Sequence, residues 1–388
     1  MKKSKKITIS TLLFLVIVVL VHVSFGYGYI LKGVAFAYLR GQKGPGIKEH
    51  HLFYNHKLKS ENPKKWDDKE PNLSITKKDI VLLESIETAG FLVIKNNEII
   101  HESYYNGFDK SIPTNSFSAS KSMVSLCLGI AIDEGYISSV DQKAAEFLPE
   151  LKDGELANIK IRHLLSMSSG LSWSESGKNP YSNNAEAYYG NHLRELVTSQ
   201  TVVNSPGKVF DYKSGDTQLL TYIIEEATGI SFGDYFYNKI WSKINTEYEG
   251  FWNLDKKNGD EKGFCCLYTT PRDFAKMAKL ILSEGEHEGT QIVSKKYLKS
   301  CLFPDKQITE KDGSENKRYG WQWWYANLDG KDIHYGRGIL GQYYITIPSE
   351  NLIVVRTGFK RKKMGKDGHP EDFWDYIRIA HELTDQLL

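Results

Sequence analysis

The sequence predicts an α/β sandwich: one sheet assembled from both ends of the chain, flanked by helices, with a helical region inserted between the two sets of strands. Two observations carry this. β-Rich runs stand at residues 90–103 and again at 319–358, and the stretch between them reads as helices. No internal repeat interrupts the 388 residues, and their 40% apolar and 12% aromatic content can bury a large core.

The elements follow in order. FLVIK and EIIHES, separated by Asn96-Asn97, form a hairpin pattern around a turn dipeptide. From Ser118 to about Gly135 the residues are apolar on nearly every helical face, which predicts a helix buried on all sides. Further helices are expected at 161–167, at 217–228 with Gly229 as the stop, and at 271–284. Strands return at 319–325 (YGWQWWY), 341–347 and 352–358, the last two joined by Pro348-Ser349-Glu350-Asn351, and a helix runs from about 371 to 388.

Ahead of this part, the MKKSKK start is followed by an uncharged stretch from Ile7 to Leu31, longer than the roughly 20 residues a membrane-crossing helix needs. Residues 1–40 are therefore expected to be a membrane anchor, or alternatively a cleaved signal, that puts the remainder outside the cytoplasm of a bacterial cell. The anchor is preferred, because Ala35-Phe36-Ala37, the small-residue site a signal peptidase would need, lies beyond Lys32 and far from the apolar run. Residues 41–85 read as a linker or wrapping arm, and 86–388 as the folded domain, with its helical insertion at about 140–270. Fifty basic residues against 48 acidic ones give a net charge of +2, so no global field points to nucleic acid. The sequence leaves the oligomeric state open. Cys265 and Cys266 are adjacent, a strained geometry for pairing, and Cys127 sits in the apolar run, so mostly free thiols are expected. No CxxC or HExxH occurs, and neither a bound metal nor a cofactor is expected.

The chemistry centres on SFSASKSMVS at 116–125. Ser118 and Lys121 lie one helical turn apart, so an amine reaches a hydroxyl, and a desolvated amine can take that hydroxyl's proton. Ser-x-x-Lys also occurs at Ser74, Ser205 and Ser314, in polar or turn contexts; only Ser118 precedes a buried helix, whose unpaired N–H groups favour negative charge at its start. Ser116, Ser120 and Ser122 read as capping or hydrogen-bonding neighbours. Downstream, Tyr212-Lys213-Ser214 places a phenol and a hydroxyl on one side of an extended segment. Tyr181-Ser182-Asn183 is a rival of similar form, without the Pro-Gly turn before it or the apolar helix after it.

SASK at 118–121, PGKVFDYKS ending at Ser214, IRHLLSMSSGL at 161–171 and GRGILGQYYITIP at 336–348, in that order, resemble the serine β-lactamase and penicillin-binding-protein superfamily. Within it they are most similar to class C β-lactamase-like hydrolases and the 6-aminohexanoate-dimer hydrolase type, over about residues 90–385. The resemblance implies a β-lactamase/transpeptidase-like α/β sandwich, with an antiparallel sheet built from both chain ends, a helical domain and the site between them. It implies Ser118 as nucleophile, Lys121 as its base partner, Tyr212 as the acid/base for the leaving group, and an oxyanion hole from the backbone N–H groups of Ser118 and Ile339. Ser214 and Gly338 would contact substrate, and Trp173, Trp324 and Tyr344 are candidate pocket walls.

The family's third motif, Lys-Thr-Gly or His-Thr-Gly, is replaced here by Gly336-Arg337-Gly338, or in shifted register by His334-Tyr335-Gly336. In the first register its cation is missing, which turns the expectation from β-lactams toward small amides, esters or short peptides. His163, within IRHLL, is expected to pack or cap. The leading expectation is an exported serine hydrolase acting through an acyl-serine on a small-molecule or peptide substrate. The alternatives are a D-alanyl carboxypeptidase or penicillin-binding protein, a β-lactamase, or a non-catalytic binding module on the same fold.

Overall fold

The computed structural model of the chain describes residues 2–66 and 73–387, without the side chains of residues 2–10, 12 and 15. Six antiparallel strands form the main sheet in the order Glu98–Tyr104, Thr88–Lys95, Leu352–Gly358, Gln342–Ile347, Lys331–Gly338, Trp324–Leu328. The two chain ends meet where Val93 pairs with Val354 and Phe91 with Arg356. The β-lactamase/transpeptidase-like sandwich expected from the motifs is thus the observed architecture.

Alternation along the strands distributes the core. Leu92, Ile94, Tyr344, Ile353 and Val355 face the central helices, while Phe91, Val93, Tyr343, Ile345 and Val354 face the closing helix Glu371–Asp385. Both faces are covered, which is why the central strands read as nearly unbroken apolar runs. Asn96 and Asn97 turn the first hairpin with φ of 52° and 66°, the type I′ geometry that asparagine tolerates.

Between the strands, the helix Lys121–Asp133 is buried from Lys121 through Ala131 and packs against Ser214–Thr228 and Phe232–Lys239. Gly229 ends Ser214–Thr228 in the left-handed region at φ 70°. Pro271–Leu282, capped by the Thr270 hydroxyl on Asp273 N–H, lies across the strands Gln342–Ile347 and Leu352–Gly358.

Several features depart from the sequence reading. A second, four-stranded sheet joins Asn55–Leu58, Gly250–Asn253, Leu267–Thr269 and Thr114–Asn115, taking part of the 41–85 stretch into the fold. Residues 319–323 are irregular, and the strand begins only at Trp324. Gln322, at φ 66°, turns inward there, donating to the carbonyls of Leu164 and Leu165 at 2.9 and 3.0 Å and accepting from Thr217 at 2.7 Å. The expected free thiols are corrected for one pair: Cys265 and Cys266 form a disulfide, and Cys127 and Cys301 are free and buried. In extended chain, neighbouring side chains point apart; Cys266 is at φ 72°, which breaks that alternation and lets the two sulfurs meet.

The apolar N-terminus is also not the single span expected. Helix Lys2–Ser24 ends, the chain turns at Gly26 with φ 85°, and a second helix, Gly28–Phe36, packs on Asn183–Tyr189. Among the described residues no single helix is long and apolar enough to cross a membrane; Val16–Ser24 and Gly28–Arg40 meet that criterion only as a pair bent by 119°. The side chains of the initial lysine cluster lie outside the described residues.

Candidate active site

Ser118 sits where a short strand becomes a helix. Thr114–Asn115 pairs with Leu267–Thr269, the chain turns through Phe117 at φ 44°, and a 3-10 turn, Phe117–Ser120, leads into Lys121–Asp133. The left-handed conformation at Phe117 is unusual for a bulky residue. It is held by the Asn115 side chain, which accepts from Phe117 N–H at 2.9 Å. The neighbouring serines serve as anchors: Ser116 and Ser120 donate to the Phe117 carbonyl, and Ser122 to that of Gln322. Ser116, Ser120, Ser122 and Ser125 are buried, whereas Ser118 is only partly buried and so reachable by a substrate.

Lys121 is buried against three acceptors. Its Nζ donates to Ser118 Oγ at 3.1 Å, to Ser214 Oγ at 3.1 Å and to the Phe264 carbonyl at 2.6 Å. Burial pushes the ammonium down to about 8, against the upward pull of Glu175. At neutral pH about one lysine in ten is then a free amine, enough to serve as a base.

Tyr212 reaches the same serine from the segment before Ser214–Thr228. Burial drives its phenol far above the usual range, Glu175 adds to the rise, and a hydrogen bond with Ser118 opposes it. The ring lies 5.2 Å from Lys121 Nζ and stacks on Trp324 at 5.8 Å. Arg337 lies over Trp324 at 3.4 Å, and its buried Nη1 has no hydrogen-bond partner.

The strand Lys331–Gly338 closes the site. A Cβ on Gly338 would stand 2.1 Å from the Ser116 carbonyl, so this glycine allows the strand to lie directly against the serine's turn. Ile339 follows at the rim and is 48% exposed. Behind it Arg356, fully buried, donates to the carbonyls of Leu340 and Gly341 at 2.9 and 2.7 Å, fixing the turn that carries Ile339. His334, in the alternative register, bonds instead to the Leu302 carbonyl at 3.1 Å, and burial holds its imidazole down at about 4. It lies four positions from Gly338, about 13 Å along a strand, whereas Arg337 and Tyr212 both lie against the Trp324 ring.

A family model described as Beta-lactamase matches residues 81–360, well over half of the chain. The chain belongs to the β-lactamase family. As a member it is a β-lactamase-like hydrolase of the serine type. The 6-aminohexanoate-dimer hydrolase of Paenarthrobacter ureafaciens is 26% identical over 299 residues, 71% of this chain and 73% of that one. Among solved structures, a Bacillus anthracis protein provisionally named a 6-aminohexanoate-dimer hydrolase superposes with a TM-score of 0.76 at 20% identity, covering 87% of this chain and 94% of its own. A penicillin-binding protein from Bacillus halodurans superposes at 0.58 and 16% identity, covering 78% and 99%.

Within this family member, Ser118, Lys121, Tyr212 and Ser214 converge, with Gly338 and Ile339 alongside; Ser214, expected at the substrate, is buried between Lys121 and Glu175. Two aromatic assignments change. Tyr344 is buried behind the serine's turn, its hydroxyl donating to the Ala119 carbonyl at 2.5 Å, so it supports the turn rather than lining a pocket. Trp173 is mostly buried against Gly215 and donates to Glu175 at 2.7 Å. His163 caps its helix by accepting from Lys160 N–H at 3.2 Å. Tyr181 is on an exposed loop, bonded to His22 at 3.0 Å. The residue sequence reasoning missed is Glu175, which accepts from Ser214 at both N–H (2.7 Å) and Oγ (2.6 Å). Its one signal was an acidic side chain in the Ser-rich stretch just after IRHLLSMSSGL. A groove of about 1210 Å³ starts at Tyr212 and passes Arg318 to Trp374, between side chains of both charges.

Proposed function

We propose that the protein hydrolyses an amide or ester through an acyl-Ser118 intermediate. The carrying observation is that Ser118, alone among the serines of 116–125, is only partly buried and lies 3.1 Å from a buried lysine whose proton burial has loosened. Ser118 Oγ would attack the carbonyl carbon as its proton passes to Lys121 Nζ. The oxyanion would be held by the N–H groups of Ser118 and Ile339. The Tyr212 phenol would then protonate the leaving nitrogen or oxygen, and water would release the acyl group by the reverse path. The groove beginning at Tyr212 gives space to a leaving group the length of a short peptide or linear amide.

A fluorophosphonate probe tests this directly. Wild type is expected to be labelled at Ser118 and Ser118→Ala not at all; equal labelling of the two refutes the assignment. Hydrolysis of a generic ester by wild type, lost in Lys121→Ala, separates turnover from mere binding.

Arg337 favours a second reading. With no carboxylate paired to it among the described residues, it can accept a substrate carboxylate beside Tyr212, as a D-alanyl carboxypeptidase or penicillin-binding protein would require. Covalent labelling by a penicillin that falls in Arg337→Ala supports it, and no labelling of wild type excludes it. We also propose that the protein works outside the cytoplasm, held to the membrane by its first helix. The exposed Leu13, Phe14, Ile17 and Leu20 support this. Membrane fractionation before and after deleting residues 1–40 tests it, and a protein soluble in both cases refutes it.

A further inference from the structure

Glu175 is a carboxylate whose charge acts on Lys121 and which bonds Ser214 beside it. Its Oε2 accepts from Ser214 N–H and Trp173 Nε1–H, both at 2.7 Å, and its Oε1 accepts from the Ser214 hydroxyl at 2.6 Å. The same Ser214 oxygen receives a hydrogen bond from Lys121. A carboxylate only accepts and a hydroxyl has a single proton, so Ser214 is fixed as donor toward Glu175 and acceptor toward Lys121.

This polarity matters when Lys121 is a free amine with two N–H groups and one lone pair. The Phe264 carbonyl cannot donate to that lone pair, and Ser214 has no second proton to offer. Of the three partners of Lys121 among the described residues, only the Ser118 hydroxyl can donate to it. We infer that Glu175 is a positioning residue that, through Ser214, aims the lone pair of Lys121 at Ser118. In the acylation step the Ser118 Oγ–H bond breaks, its proton goes to Lys121 Nζ, and the freed electron pair forms the Oγ–acyl bond. Glu175 exchanges no proton and touches no substrate. The inference rests on the acyl-Ser118 reading.

Glu175→Gln reverses the polarity while keeping the shape. The two N–H donors claim the amide oxygen, so the amide NH₂ faces Ser214 and donates to it. The Ser214 proton must then turn toward Lys121 and compete with Ser118 for the lone pair. The same substitution removes the negative charge that pulls Lys121 upward.

The experiment measures the pH dependence of acylation by a generic ester in wild type, Glu175→Gln, Ser214→Ala and the double variant, with thermal melts of each. In Glu175→Gln the high-pH ceiling is expected to fall about 10- to 100-fold, the worth of one charge-assisted hydrogen bond, with the rising limb moved to lower pH. In the Ser214→Ala background, Glu175→Gln should cause no further loss, because its route to Lys121 is already gone. An unchanged ceiling in Glu175→Gln overturns the inference. So does an equal loss in both backgrounds, which would make Glu175 a simple anchor for the 173–176 loop, and in either case the acyl-Ser118 reading stands. Absence of acylation at Ser118 in wild type overturns both.

Discussion

Gly338→Ala probes the closest backbone approach in the site. The new Cβ would stand 2.1 Å from the Ser116 carbonyl oxygen, about 1.3 Å short of the 3.4 Å at which ordinary contact begins. The obstacle is backbone and cannot rotate aside, and the Cβ atoms of Phe117 and Gln342, at 3.1 and 3.2 Å, block sideways relief. The strand and the serine's turn must therefore separate by about 1 Å, enough to lose about 10²-fold in rate when the reacting geometry depends on it. Overpacking of this kind also destabilises by about 1–3 kcal/mol. Ester kcat/KM measured beside a thermal melt should show both losses. Gly44→Ala, where an added Cβ meets nothing within 4 Å, is the control. A Gly338→Ala enzyme within about threefold of wild type, with an unchanged melt, would refute the claim that this contact sets the spacing between Ile339 and Ser118.

The remaining predictions concern pH, a buried cation and the thiols. Under the proposed acyl-Ser118 mechanism acylation needs the free amine, and with burial setting Lys121 at about 8 its rate should rise nearly tenfold per pH unit below 7 and level off above about 9; a flat profile from pH 6 to 9 rules Lys121 out as the base. Arg356→Lys should destabilise by about 3 kcal/mol or more in urea denaturation, because one ammonium cannot replace a fork that serves the carbonyls of Ile86, Leu340, Gly341 and Lys360. Activity should fall with it, through the turn bearing Ile339; an unaltered midpoint contradicts this. Alkylation of the unfolded, unreduced chain should modify Cys127 and Cys301 alone, and modification of all four cysteines would refute the Cys265–Cys266 bond.

What the sequence made legible was local chemistry and its period. Asn96-Asn97 could be read as a turn because asparagine tolerates the φ the turn needs, and Ser118 with Lys121 could be read as a pair because three residues make one turn of helix. What stayed hidden depends on contacts between distant segments. Glu175 reaches Ser214 across 39 positions through loop docking that no periodicity reports. The expectation that Tyr344 lines a pocket rests on aromatic character, which is visible in sequence where facing is not; pairing with Val355 and Gly336 turns its ring behind the serine. The Cys265–Cys266 bond depends on one backbone angle at Cys266, and the N-terminal break on one at Gly26.

Burial does two jobs at this site at once. Desolvation penalises whichever form is charged, so it lowers an amine and raises a phenol. Lys121, buried, and Tyr212, half-buried, share one wall, with the lysine nitrogen 5.2 Å from the tyrosine ring, and are displaced in opposite directions. The lysine becomes partly neutral while the phenol keeps its proton, which is the division a base and a leaving-group acid require. The two assignments therefore stand or fall together. A substitution that wets this wall, such as Trp324→Ala, should raise the pH at which acylation sets in and lower the pH at which the phenol ionises, narrowing the active range from both sides. Movement of only one limb would mean that something other than shared desolvation sets the pair.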